Sequence, residues 1–228
     1  MKKRLRIKQE NAECKVNQRR EMTGGNLLHQ AIFLQRSRQF ELLVQKGIDL
    51  NKRDERLRTA LHILSELEDE TVAVSYAKVL LRHGARTNVK DCEGHTPFYY
   101  AVINQRVQLA KVFLKEREVD LLESDEDGNT LLHFAAAAGN EALVEVLIKS
   151  MQKVGLGIDE LNRKGETAVM MAAMNGHGHC QKHFLGKSWK KMLQNGGTVD
   201  NKVEETEIKV SRHFRSEFYI FIKTHGLK

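Results

Sequence analysis

A short pattern that returns five times along the chain constrains its fold more than any other feature. It reads Asn26-Leu27-Leu28-His29, then Thr59-Ala60-Leu61-His62, Thr96-Pro97-Phe98-Tyr99, Thr130-Leu131-Leu132-His133 and, more loosely, Thr167-Ala168-Val169-Met170. The first residues lie 33, 37, 34 and 37 positions apart. A period in this range marks stacked units, each too small to bury its own apolar surface. Every block continues alike. An alanine stands two places after the His position at Ala31, Ala101, Ala135 and Ala172. A second apolar run follows, for example Phe40/Leu42/Leu43, Val79/Leu80/Leu81 and Val144/Val146/Leu147. Gly47 and Gly84 close the first two blocks. Ahead of four patterns an Asp or Asn stands three residues before a Gly or its substitute: Asp54/Leu57, Asp91/Gly94, Asp125/Gly128 and Asn162/Gly165.

The residue types suit paired helices. Threonine can cap a helix through its hydroxyl, and proline fits a first turn that needs no donor. Alanine lets a neighbouring helix approach, and glycine supplies the left-handed residue at a helix exit. In register, these motifs resemble the ankyrin-repeat family over residues 21–190. The resemblance implies an all-α solenoid of stacked helix-turn-helix units with protruding loops or hairpins. We divide the chain into a basic, flexible arm (1–20), repeats at 21–53, 54–90, 91–124, 125–161 and 162–195, and a tail (196–228). The first and last repeats act as caps. The third block has Tyr99 in place of His and reads Glu116-Arg117-Glu118 where a glycine is expected. The second block's extra residues are placed in the acidic stretch 66–70 between its helices, and the fourth block's around 153–157.

Charge is unevenly placed. The formal net charge is +7, yet residues 1–20 carry +6 and residues 187–228 carry +4, which leaves the middle at −3. The basic character belongs to the ends, which weakens a nucleic-acid reading of the repeats. The run Lys2-Lys3-Arg4-Leu5-Arg6-Ile7-Lys8 fits a nuclear-import or polyanion-binding patch. Three distant cysteines, Cys14, Cys92 and Cys180, argue for a reducing compartment, cytoplasm or nucleus. No apolar run is long enough for a membrane span, and no apolar stretch of the secretory type follows the charged N-terminus. Trp189 and Met192 are expected to cover the end of the stack. The cluster from Phe214 to Ile222 is expected to fold back on the repeats.

Catalytic and metal readings are weak. No nucleophile elbow, phosphate loop or dinucleotide fingerprint is present. His179 and His183 stand four residues apart, as zinc pairs do, but the segment lacks the glutamate of a zinc protease. The expectation is no catalytic residue, no cofactor and no resident metal. In the family His29, His62 and His133 would be structural, bonding between neighbouring loops.

The resemblance instead implies a protein partner, met by loop tips and by the exposed side of the first helices, which line a concave face. Carried over by position, the tip candidates are Glu55, Arg56 and Arg58; Cys92, Glu93 and His95; Glu126, Asp127 and Asn129; and Arg163, Lys164 and Glu166. First-helix candidates are Glu66, Ile103, Asn104 and Asn175. The tips alternate in sign: basic at Lys52, Arg53, Arg56 and Arg58, acidic at Glu123, Asp125, Glu126 and Asp127, and basic again at Arg163 and Lys164. Such banding favours a protein with complementary bands over a simple polyanion. Reversing Arg56 and Arg58 to glutamate is expected to weaken binding with little change in melting. The expected function is a scaffold, adaptor or inhibitor. The alternative is a nuclear regulator whose arm drives import or touches nucleic acid while the repeats hold a transcription factor.

Overall fold

The computed structural model describes residues 27–116 and 118–185. The basic arm, Asn26, Arg117, Trp189, Met192 and the Phe214 to Ile222 cluster lie outside the described residues. Among the described residues ten helices run in pairs: α1 (Leu27–Phe33) and α2 (Ser37–Gln45), α3 (Ala60–Glu66) and α4 (Glu70–Arg82), α5 (Pro97–Ile103) and α6 (Val107–Phe113), α7 (Leu131–Ala137) and α8 (Glu141–Lys153), α9 (Ala168–Met174) and α10 (Gly178–Leu185). Among the described residues there is no strand, only an antiparallel bridge between Ser124 and Thr130. The fold class is therefore all-α, as the repeat implies. The chain divides into two compact units, one ending at Tyr100 and the other starting at Ala101.

Each first helix is seven residues long, too short to hold itself in water, so its stability comes from packing. In the first unit α1 packs on α2 and α3, and α3 on α4. Leu28, Ala31, Ile32, Phe40, Leu61, Ile63, Leu64, Ala77 and Leu80 are buried there. Phe40 of α2 stacks on Tyr76 of α4 with ring centroids 4.2 Å apart, and Tyr76 shares a 2.8 Å hydrogen bond with Ser37. In the second unit α7 packs on α8 and α9, and α10 closes on both α8 and α9. Ala135, Ala172, Leu143, Leu147, Cys180 and Phe184 are buried in that core.

The alanine two places after the His position serves in two ways. Its side chain vanishes into the core, and its carbonyl accepts the backbone N–H that ends the turn between the helices. The pairs are Arg36 to Ala31 at 2.8 Å, Arg106 to Ala101 at 2.8 Å, Asn140 to Ala135 at 3.1 Å and His177 to Ala172 at 2.8 Å. Every such turn spans three residues, and a left-handed residue stands in the middle of it: Gln35, Gln105, Gly139 or Gly176. Gly139 is the tightest. A Cβ there would lie 2.5 Å from Nδ1 of His177, at φ +69°. Gly139→Ala should cost about 2 kcal/mol through left-handed strain and overpacking. Thermal unfolding followed by circular dichroism checks this, and adding His177→Ala should recover the steric share.

The placement of the inserted residues needs correcting. The second block's turn, residues 67–69, is no longer than the others. Its extra residues lie in α4, which has 13 residues against 9 in α2. The fourth block repeats the solution, with α8 also at 13 residues. One added turn of about 3.6 residues keeps the same face toward the partner helix, whereas residues added to the turn would rotate it away. Helix α8 therefore runs through Lys153 and exits at Gly155 (φ +75°), where Leu156 donates back to Met151 at 2.9 Å. Gly47 and Gly84 end α2 and α4 the same way, with φ of +72° and +87°.

Candidate functional site

Four hairpins precede first helices α3, α5, α7 and α9, and each is built by one Asp or Asn. Oδ1 of Asp54 accepts the backbone N–H groups of Arg56 and Arg58 at 3.0 and 2.8 Å. Asp91 does the same for Glu93 and His95, and Asn162 for Lys164 and Glu166. Asp125 accepts from both the backbone and the side chain of Asn129. The left-handed corner falls on Gly94, Gly128 and Gly165, and in the first hairpin on Leu57 at φ +59°. That conformation costs a non-glycine residue about 1–2 kcal/mol.

A histidine then ties three of these hairpins, at 54–58, 91–95 and 162–166, to the preceding first helix. In α3 and α7 the backbone N–H groups of Thr59 and Thr130 donate to Nδ1 of His62 and His133, at 3.0 and 3.1 Å. A backbone N–H can only donate, so Nδ1 is the unprotonated nitrogen and Nε2 carries the hydrogen. Nε2 of His62 donates to the carbonyl of His95 at 3.2 Å, and that of His133 to Glu166 at 3.0 Å. His29 reaches the carbonyl of Arg58 at 3.2 Å. The three rings are buried, and burial pushes all three pKa values below the ordinary histidine range, that of His62 to about 4. Where Thr96 and Thr167 precede Tyr99 and Met170, their hydroxyls instead accept the N–H of those residues.

Neighbouring tips are also joined. Cys92 N–H donates to the Arg56 carbonyl, and Arg163 N–H to the Asp127 carbonyl, both at 2.9 Å. Nδ2 of Asn162 donates to Oδ1 of Asn129. The tips within each unit therefore form a ledge of fixed spacing.

Not every candidate stands on that ledge. Exposed at the tips are Glu55, Arg56, Cys92, Glu93, Glu126, Asp127, Arg163 and Lys164. Asn104 and Asn175 are exposed at the ends of first helices, and Ile103 is half-buried. Arg58 is a correction. It is 5% exposed, and its guanidinium bridges Oδ2 of Asp54 at 2.9 Å and Oε1 of Glu66 at 2.8 Å. Burial opposes its charge, but Glu66 and Asp54 outweigh that and hold its pKa above the ordinary value. His95, Asn129 and Glu166 are half-buried inside the hairpins: the His95 ring stacks on Tyr99 at 3.7 Å, and Asn129 and Glu166 bond to Asn162. The acidic band also shrinks to Glu126 and Asp127, because Glu123 is 5% exposed and Asp125 holds its own turn.

The repeat pattern does not single out Tyr100, whose hydroxyl donates to Asp91 at 2.6 Å and whose pKa is raised by burial and by that carboxylate. The aromatic pair Tyr99-Tyr100 was its only sign. His179 and His183 turn their Nε2 atoms to the carbonyl of Gly139 and the carboxylate of Glu141, both at 3.0 Å, and Cys180 is buried. Among the described residues no group of three or more His, Cys, Asp or Glu could hold a metal ion, and no helix is long and apolar enough to cross a membrane.

Residues 28–125 and 73–156 match the family model described as ankyrin repeats (3 copies). The chain is 34% identical over 137 residues to "Ankyrin repeat domain-containing protein 63" of Homo sapiens, covering 59% of this chain and 35% of that protein. It is 35% identical over 108 residues to "Ankyrin repeat and SOCS box protein 16" of Homo sapiens (46% and 23%). It is 30% identical over 109 residues to "Synphilin-1" of Mus musculus (47% and 11%). The chain thus spans about a third or less of the length of these curated relatives.

Proposed function

This chain belongs to the ankyrin-repeat family, and from that premise we propose that it is a scaffold, adaptor or inhibitor that grips a partner protein with its hairpin tips and first helices. Ankyrin repeats are generally non-enzymatic protein-interaction modules. The observation that carries the reading is the pinned ledge: adjacent tips are bonded backbone to backbone, and exposed charges project from both members of each pair. A surface fixed before binding spends little entropy on docking. Charges of both signs on it select a complementary protein surface.

Affinity purification with the full chain, followed by tip reversal, tests this. Reversing Arg163 and Lys164 to glutamate should weaken capture of the recovered partner at least tenfold. The melting temperature should move by no more than about 2 °C, since exposed substitutions change stability little. Capture that survives reversal of every exposed tip charge would overturn the reading.

The basic arm supports a second reading, that of a nuclear regulator, because its net +6 stands apart from the repeats. Deleting residues 1–20 should then move the protein out of the nucleus, as fluorescence imaging would show. An unchanged distribution would remove this reading.

A further inference from the structure

The first hairpin departs from the other three at one atom-level detail. Their left-handed corners are glycines, whereas this one is Leu57, at φ +59° and 42% exposed. A leucine here is strained, and with so much of it exposed it gains little packing in return. Neither the fold nor the hairpin needs it, since glycine builds the same turn three more times. Strained, exposed residues of this kind persist where something outside the fold uses them.

The surrounding charge identifies what that would be. Asp54, Arg58 and Asp91 are buried and paired, so they do not set the surface. The exposed charges along residues 52–58 and 90–95 are Lys52, Arg53, Arg56 and Lys90 against Glu55 and Glu93. Arg53 donates to the Lys90 carbonyl at 2.7 Å, and Cys92 bonds the Arg56 carbonyl, so these cations are held on two joined hairpins. An apolar side chain in a net positive surround fits an acidic partner segment with an apolar centre.

We infer that Leu57 is an anchor residue that inserts into the apolar centre of an acidic partner segment, with Arg56 and the neighbouring lysines meeting its carboxylates. This rests on the proposed interaction role and names the partner's chemistry for one part of the surface.

The probe is a fluorescein-labelled peptide with a leucine and a phenylalanine between two pairs of glutamates, titrated into the full chain by fluorescence anisotropy. Its counterpart carries lysines in place of the glutamates. The acidic peptide should bind at least tenfold more tightly. Leu57→Gly should weaken it at least fivefold while raising the melting temperature by about 2–4 °C, because the corner relaxes. Leu57→Met should stay within twofold of the wild type. Equal binding of the two peptides, wild-type affinity in Leu57→Gly, or a lower melting temperature in that variant would each overturn the inference. If these peptides fail while reversal of Arg163 and Lys164 still abolishes capture of the partner, the anchor is wrong and the interaction role stands.

Discussion

Arg58→Glu should destabilise the chain by about 4 kcal/mol, the largest effect expected of any single charge change. The guanidinium is 6% exposed and lies between Asp54, itself 5% exposed, and Glu66, 38% exposed. Removing one partner of a buried ion pair costs about 3–5 kcal/mol, because the other charge stays buried without compensation. Here the reversal also adds a third carboxylate. Water at Glu66 relieves part of the penalty, which keeps the figure below the top of that range. The consequences spread beyond the hairpin, since the Arg58 carbonyl accepts from His29 and its N–H is held by Asp54. Arg56→Glu, two residues away and exposed, should cost less than about 1 kcal/mol. Urea unfolding of the two variants side by side checks the pair. Equal midpoints would show that Arg58 is an ordinary surface arginine. The same contrast corrects the expectation that reversing both residues leaves melting unchanged: only Arg56 is a clean probe of binding.

Acidification should loosen the hairpins well before the carboxylates titrate. His62 must be neutral to accept the Thr59 N–H at Nδ1, and burial lowers its pKa from 6.5 to about 4. The unfolded chain therefore takes up a proton at His62 that the folded chain refuses. Stability is fully present above about pH 6.5 and falls as the pH drops toward 4. A depression of that size corresponds to about 3 kcal/mol. His29 and His133 shift in the same direction and add to the loss. The unfolding free energy should thus decline steadily from pH 7 to 4.5. His62→Gln should cost about 1–2 kcal/mol at pH 7, since a side-chain oxygen can still cap Thr59 but loses the tie to His95. The variant should also show a shallower acid slope. A slope unchanged by the substitution would mean that the proton uptake lies elsewhere.

Much of this was legible in the sequence because it is carried by register. Five returns of one pattern fixed where first helices begin, the Asp/Asn and Gly pairs fixed the hairpins, and Leu57 could be placed at the left-handed corner from its alignment with three glycines. The burial of Arg58 was not legible. A lone arginine in a polar loop reads as solvated, and only the fold brings Glu66, eight residues on, within 2.8 Å of it. The inserted residues were misplaced for a related reason: an acidic stretch looks like a loop, yet Asp69 is the cap of α4, accepting the N–H groups of Thr71 and Val72. For the candidate site, sequence gave positions along the repeat but not which of them the hairpins consume. Asn129 and Glu166 carry side-chain polar groups that their own turns use, and the His95 ring is taken up by stacking on Tyr99.

Hydrogen exchange on the full chain, with and without the recovered partner, tests the central claim most directly. Partner binding should slow exchange in the hairpins, around residues 54–58, 91–95, 125–129 or 162–166, and leave the amides of α2, α4 and α8 unchanged. Protection confined to those second helices, with the hairpins exchanging as in the unbound protein, would contradict it.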